Sequence, residues 1–258
     1  MIPGWPVPPC RQRFKAIFES LVIVDLWVLA QVESGQSLTD LDCDWRSPFL
    51  AIAAASAKGA CLGTQPWKNE LRHLARQSES ALLLAVLPIL LLYSDTYGHQ
   101  RPALQQWAQT MGLTAVDILN LDRSFQHLCL TMAPPPPWSI DRQRCWLQLP
   151  DPKPATVLQS VEQLLTASQG QFLPALQLAH RHHRSAVTLT LVGVLVAWGG
   201  GLAALPSQLR YHSRRSPRLV AWWGPDYSNR LSHLAEALHS RWAGVQPGNH
   251  QDSSLVVR

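Results

Sequence analysis

The sequence predicts an all-α protein, a single compact orthogonal bundle of many helices, and three observations carry that prediction. Residues 185–209, SAVTLTLVGVLVAWGGGLAALPSQL, contain no charge and place Gly193, Ala197 and Gly201 four apart, on one face of a helix. Further stretches, notably 13–34 and 229–243, have the length and apolar content of core-facing helices. Alternating strand-like runs are scarce, the best being 145–149. The helices vary in length with no fixed period, which argues against a solenoid.

Composition narrows the class. Of 258 residues, 47% are hydrophobic and only 15% charged, against the usual quarter. Such a chain needs a deep core, or a membrane. The net charge is +5, with much of the excess in HRHHR at 180–184 and RYHSRRSPR at 210–218. These flank the long apolar segment on both sides, so they give no inside–outside asymmetry to a spanning helix; they read as solvated turns at its two ends. The five cysteines form no CxxC pair, which suits reduced thiols in the cytoplasm, with Cys61 and Cys129 as small core residues. The prolines of MIPGWPVPPC leave no secretory signal.

In chain order, residues 1–12 form a proline-rich N-terminal segment, 13–245 the helical domain and 246–258 a flexible tail. The first helix, 13–34, stops at Gly35. An acidic connector, SLTDLDCDW, leads to a helix opened by Ser47-Pro48. Residues 68–93 form one or two helices, and Pro88 is expected to kink or split the apolar run ALLLAVLPILLLY. Two amphipathic helices follow at 102–111 and 113–129. APPPPW at 133–138 is a stiff connector, since four prolines exclude helix and central strand. Helices return at 156–167 and 172–180, then the apolar segment, and last a helix at 229–243 with Leu231, Leu234, Ala235 and Leu238 on one side.

Three of these patterns together resemble the ADP-ribosylglycohydrolase family in an abbreviated form. Gly193, Ala197, Gly201 and Leu205-Pro206 fall in the register of that family's C-terminal G-x-x-x-G/A-x-x-x-G helix and its I-P pair. ALLLAVLPILLLYSD at 81–95 is similar to its central helix, and RLSHLAEALHSRWAGV to a closing one. The resemblance implies the family's helical fold, an ADP-ribose-like ligand and two magnesium ions held by aspartates. It also marks where this chain departs. The family's D-T-D aspartates fall on Arg184 and Ala186, which do not ligate magnesium, and Ser185 and Val187 fall on its threonines. The opening glycine-rich helix has no counterpart. The nearest material to the T-D-D-T loop is Thr39–Asp44, acidic but differently spaced.

The expectation is a degenerate member without hydrolase activity, acting as a binding or structural protein, with no catalytic residue and no cofactor assigned. Magnesium would enter only through a rebuilt site. Asp40, Asp42 and Asp44 are the weak candidates, because D-x-D-x-D opens a calcium loop; here neither its glycine nor its glutamate follows, so a turn or helix cap is favoured. His180, His183 and Arg184 are a candidate anion site, with a polar helix end as the plainer reading. Gly193, Ala197, Gly201 and Pro206 are helix-packing positions. Glycines 199–201 lack the lysine of a phosphate-binding loop, and the eleven tryptophans read as packing residues. The alternatives are a membrane-associated protein spanning at 187–206 and a divergent hydrolase built on the aspartate cluster. The partner is unknown, and no nucleic-acid signature is present.

Overall fold

The computed structural model describes residues 10–59, 68–93, 97–110, 114, 157–183 and 185–244. They are helical throughout: α1 (Cys10–Glu33), α2 (Arg46–Ala57), α3 (Lys68–Gln77), α4 (Glu79–Tyr93), α5 (Tyr97–Thr110), α6 (Val157–Ala167), α7 (Phe172–His183), α8 (Ala186–Gly200), a 3-10 turn (Gly201–Ala204), α9 (Ser207–Ser213), α10 (Pro217–Trp223) and α11 (Tyr227–Trp242). No strand occurs among the described residues, and the one backbone bridge joins Thr39 to Ser185. The class is all-α.

Helices α1 and α8 form the centre. From Ala186 to Trp198 every residue of α8 is buried, as an apolar helix enclosed by others should be. It packs against α1, α7, α6 and α4, while α1 also carries α9, α10 and α11 on its other side. Gly193 explains the closeness of the central pair. A Cβ there would collide with a methyl of Val24 on α1 and stand 3.5 Å from the Phe172 ring of α7. Ala197 is likewise fully buried. Gly201, expected as the third member of a helical stripe, lies outside the helix instead. Its φ of 63° ends α8, and its N–H bonds back to Ala197. Left-handed backbone favours glycine, so the turn that ends α8 calls for Gly201. Pro206 then precedes α9 with φ −61°.

Four expectations change. Pro88 neither ends nor divides α4, which runs unbroken across it; residues 81–91 are all buried, and that burial offsets the one lost backbone donor. The break falls instead at Ser78, between α3 and α4, where the Ser78 hydroxyl accepts from Ala81 N–H. Pro102 lies inside α5 rather than opening it. The basic runs are helical in large part: residues 180–183 finish α7, 210–213 end α9, Arg214 and Arg215 form the turn that follows, and Pro217 opens α10. Residues 113, 115–156 and 184, with the expected helix at 113–129, the APPPPW connector, the 145–149 run, Cys129 and Arg184, lie outside the described residues, as does Cys61.

Candidate functional site

The acidic connector folds onto the N-terminus of α8. Ala186 N–H donates to the Thr39 carbonyl at 3.1 Å. The Ser185 hydroxyl donates to Asp40 Oδ2 at 2.7 Å and accepts from Thr188 N–H at 3.3 Å. Ser185 therefore caps α8 while Asp40 orients the cap. Asp40 holds a φ of 60° to do so, a conformation that aspartate tolerates better than most side chains. The other two aspartates are used differently. Asp44 accepts from Ser47 N–H at 3.2 Å in the first turn of α2, and Asp42 points to solvent. Burial, with Asp40 and Asp44 nearby, pushes the Cys43 thiol up between them.

This donor set does not fit a magnesium pair. Hard cations need several oxygen ligands converging at short range, whereas Asp40 is committed to a hydroxyl, Asp44 to an amide, and the register position of Ala186 offers a methyl group. Among the described residues no group of three or more His, Cys, Asp or Glu side chains converges. The histidine run lies at the end of α7. His180 is half-buried with its ring edge-on to Trp27 at 5.6 Å, while Arg181 and His182 are exposed. Of the anion site expected from His180, His183 and Arg184, only the His180 side chain belongs to the described residues; those of His183 and Arg184 lie outside them.

Sequence reasoning missed two other constellations. The first is buried. Asp25 of α1 accepts a two-pronged salt bridge from Arg46 of α2, at 2.8 Å from Nε and 2.6 Å from Nη2, and a third bond from Trp223 Nε1 at 2.7 Å. The Arg46 guanidinium lies 4.8 Å from the Trp45 ring centroid and 4.3 Å from that of Trp222. With 1% of Asp25 and 10% of Arg46 side-chain surface exposed, this is a charge pair within aromatic walls. It joins α1, α2 and α10.

The second is open. A pocket of about 260 Å³ lies between α1, α9 and the first turns of α11. Phe18, Val22 and Leu231 are among its apolar lining; Ser213, Ser228, Asn229 and Ser232 add polar groups, with Lys15, Glu19 and Arg214. Glu19 receives Arg210 at 2.6 Å and Arg214 at 2.7 Å. Glu236 receives Lys15 at 2.6 Å and Arg11 at 3.0 Å, and these two cations hold its carboxyl down to about 2. The Tyr227 hydroxyl donates to the Ser213 carbonyl, tying α11 to the end of α9. The basic run 210–218 is thus anchored on α1, with Arg218 paired to Glu33 as well. Its spacing gave no hint of these glutamates, which lie some two hundred residues earlier.

Compared with known protein families, curated proteins and solved structures, the chain finds no match.

Proposed function

We propose that this chain is a non-hydrolytic helical binding protein of the cytoplasm, with an ADP-ribosylglycohydrolase-like arrangement from which the dinuclear metal site has been lost. One observation carries the reading. The acidic connector docks beside the N-terminus of α8, where the resemblance would bring a ligand loop to the D-T-D helix, yet Asp40 there serves only to hold Ser185. Its neighbour in the register is Ala186. Calorimetric titration with magnesium, together with an ADP-ribosyl hydrolysis assay, tests this. The expected result is neither saturable magnesium binding nor turnover; magnesium-dependent release of ADP-ribose overturns it.

Length and composition support a second reading, membrane association. Ala186–Ala204 is long and apolar enough to cross a bilayer, although 78% of it is buried inside the bundle. A carbonate wash of membranes separates the two. The bundle reading expects the protein in the supernatant, and retention in the pellet favours a span.

A further inference from the structure

We infer that the pocket between α1, α9 and α11 is a binding site for a small organic anion, a phosphate or carboxylate head on an apolar body. It uses none of the residues on which the metal-free reading rests, so the two ideas fail separately.

The shape comes first. A volume of about 260 Å³ suits a molecule of ring or short-chain size rather than a single ion. Its lining is mixed: Phe18, Val22 and Leu231 contribute apolar groups, and Ser213, Ser228, Asn229 and Ser232 contribute four hydroxyl or amide side chains. Sites for small molecules typically combine an apolar lining with a few convergent polar groups.

Charge selects the sign. Around the pocket Arg11, Lys15, Arg210 and Arg214 share Glu19 and Glu236, and Asp226 accepts from Asn229 at the rim. Four cations against three carboxylates leave one positive charge in surplus. Lys15 and Arg214 are the two cations that line the pocket itself. Each has already been oriented by its carboxylate, Lys15 with 28% and Arg214 with 53% of side-chain surface still exposed. Lysine has three donors and arginine five, so each can keep its carboxylate partner and still bond an incoming oxyanion. Glu19 fixes Arg214 at the pocket wall, as Glu236 fixes Lys15.

Isothermal titration of the full chain with phenyl phosphate and with benzoate, against phenol and inorganic phosphate, tests the inference. Saturable binding of either aryl anion is expected, tighter than binding of phenol or inorganic phosphate, and the stronger of the two identifies the head group. Lys15→Gln and Arg214→Gln should each weaken it about tenfold, the worth of one charge-assisted hydrogen bond. Arg215→Gln serves as the charge control, because Arg215 lies against the Tyr211 ring at 4.5 Å and does not line the pocket; it should leave affinity unchanged. Thermal melts establish that the variants are folded, and the exposed Arg214 site keeps the test available if Lys15→Gln is unstable. Absence of saturable binding by both aryl anions, equal binding of phenol, or equal weakening by Arg215→Gln overturns the proposal.

Discussion

Gly193 of α8 and Val24 of α1 meet so closely that no methyl group fits between them. Interiors are packed too densely to absorb an extra carbon without movement. Gly193→Ala should therefore destabilise the protein, since overpacking costs about 1–3 kcal/mol while the gain in helix propensity returns only about 1 kcal/mol. Gly199→Ala, on the exposed side of the same helix with open space around the added carbon, should stabilise by about 0.5–1 kcal/mol. Urea denaturation of the pair checks both signs.

Removal of one partner from the Asp25–Arg46 pair should be costly. Asp25→Ala leaves a guanidinium buried without its counter-charge, a loss of about 3–5 kcal/mol. Trp223→Phe keeps an aromatic ring but removes the third hydrogen bond and part of the buried indole, so a loss of about 1–3 kcal/mol is expected. Equal stability of Asp25→Ala and the parent chain in urea would remove the pair from any structural role.

Asp40 separates a pin from a metal ligand. Asp40→Asn keeps an acceptor for Ser185 and tolerates the left-handed backbone, so stability should change by less than about 0.5 kcal/mol. Asp40→Ala loses both and should cost about 1–2 kcal/mol. Neither variant, nor Asp42→Asn, should alter magnesium affinity measured by calorimetry. A loss of metal binding in Asp40→Asn would favour the divergent-hydrolase reading instead.

Acid should weaken the contact between α1 and α11 in two stages. His239 sits edge-on to Phe14 at 5.6 Å, and burial first, then Arg11, pushes its pKa below the usual 6.5. The unfolded chain takes up that proton first, so this contribution is full above 6.5 and declines as pH falls below it. Glu236 is lowered from 4.5 to about 2 by Lys15 and Arg11; its contribution is full above 4.5 and is lost as pH falls towards 2. Melting temperatures from pH 8 to 2 should show both declines. His239→Gln should remove the upper one. Because Glu236 is well exposed, added salt should blunt the lower one.

What the residues disclosed in advance was the apolar framework. The uncharged run of α8, the long apolar α1 and the stripe of α11 all follow from local pattern, because burial imposes a period on the chain. Leu231, Ala235 and Leu238 are buried as that stripe requires, and Leu234 is half-buried. The polar constellations were not legible. Asp25 looks like an interruption in an apolar helix until Arg46 and Trp223 arrive from two other elements. Pro88 leaves α4 unsplit for a related reason: a local rule for helix breaking competes with burial on all sides, and the helix continues across it. The pocket is assembled from residues of α1, α9 and α11, a juxtaposition that no short window of sequence contains.

The partners of α1 have a consequence for how the chain is made. Its glutamates are satisfied by Arg210, Arg214 and Arg218, and Asp25 by Trp223 as well as by Arg46; all but Arg46 leave the ribosome long after α1 has done so. Until α8 to α11 are synthesised, the faces of α1 that pack on them are uncovered, with only early elements such as α2, through Arg46 and Phe49, available to it. Long-range closure of this kind is slow and exposes chains to aggregation. Successful production of the protein thus depends on how well the cell shields its first helix while the last four are being added.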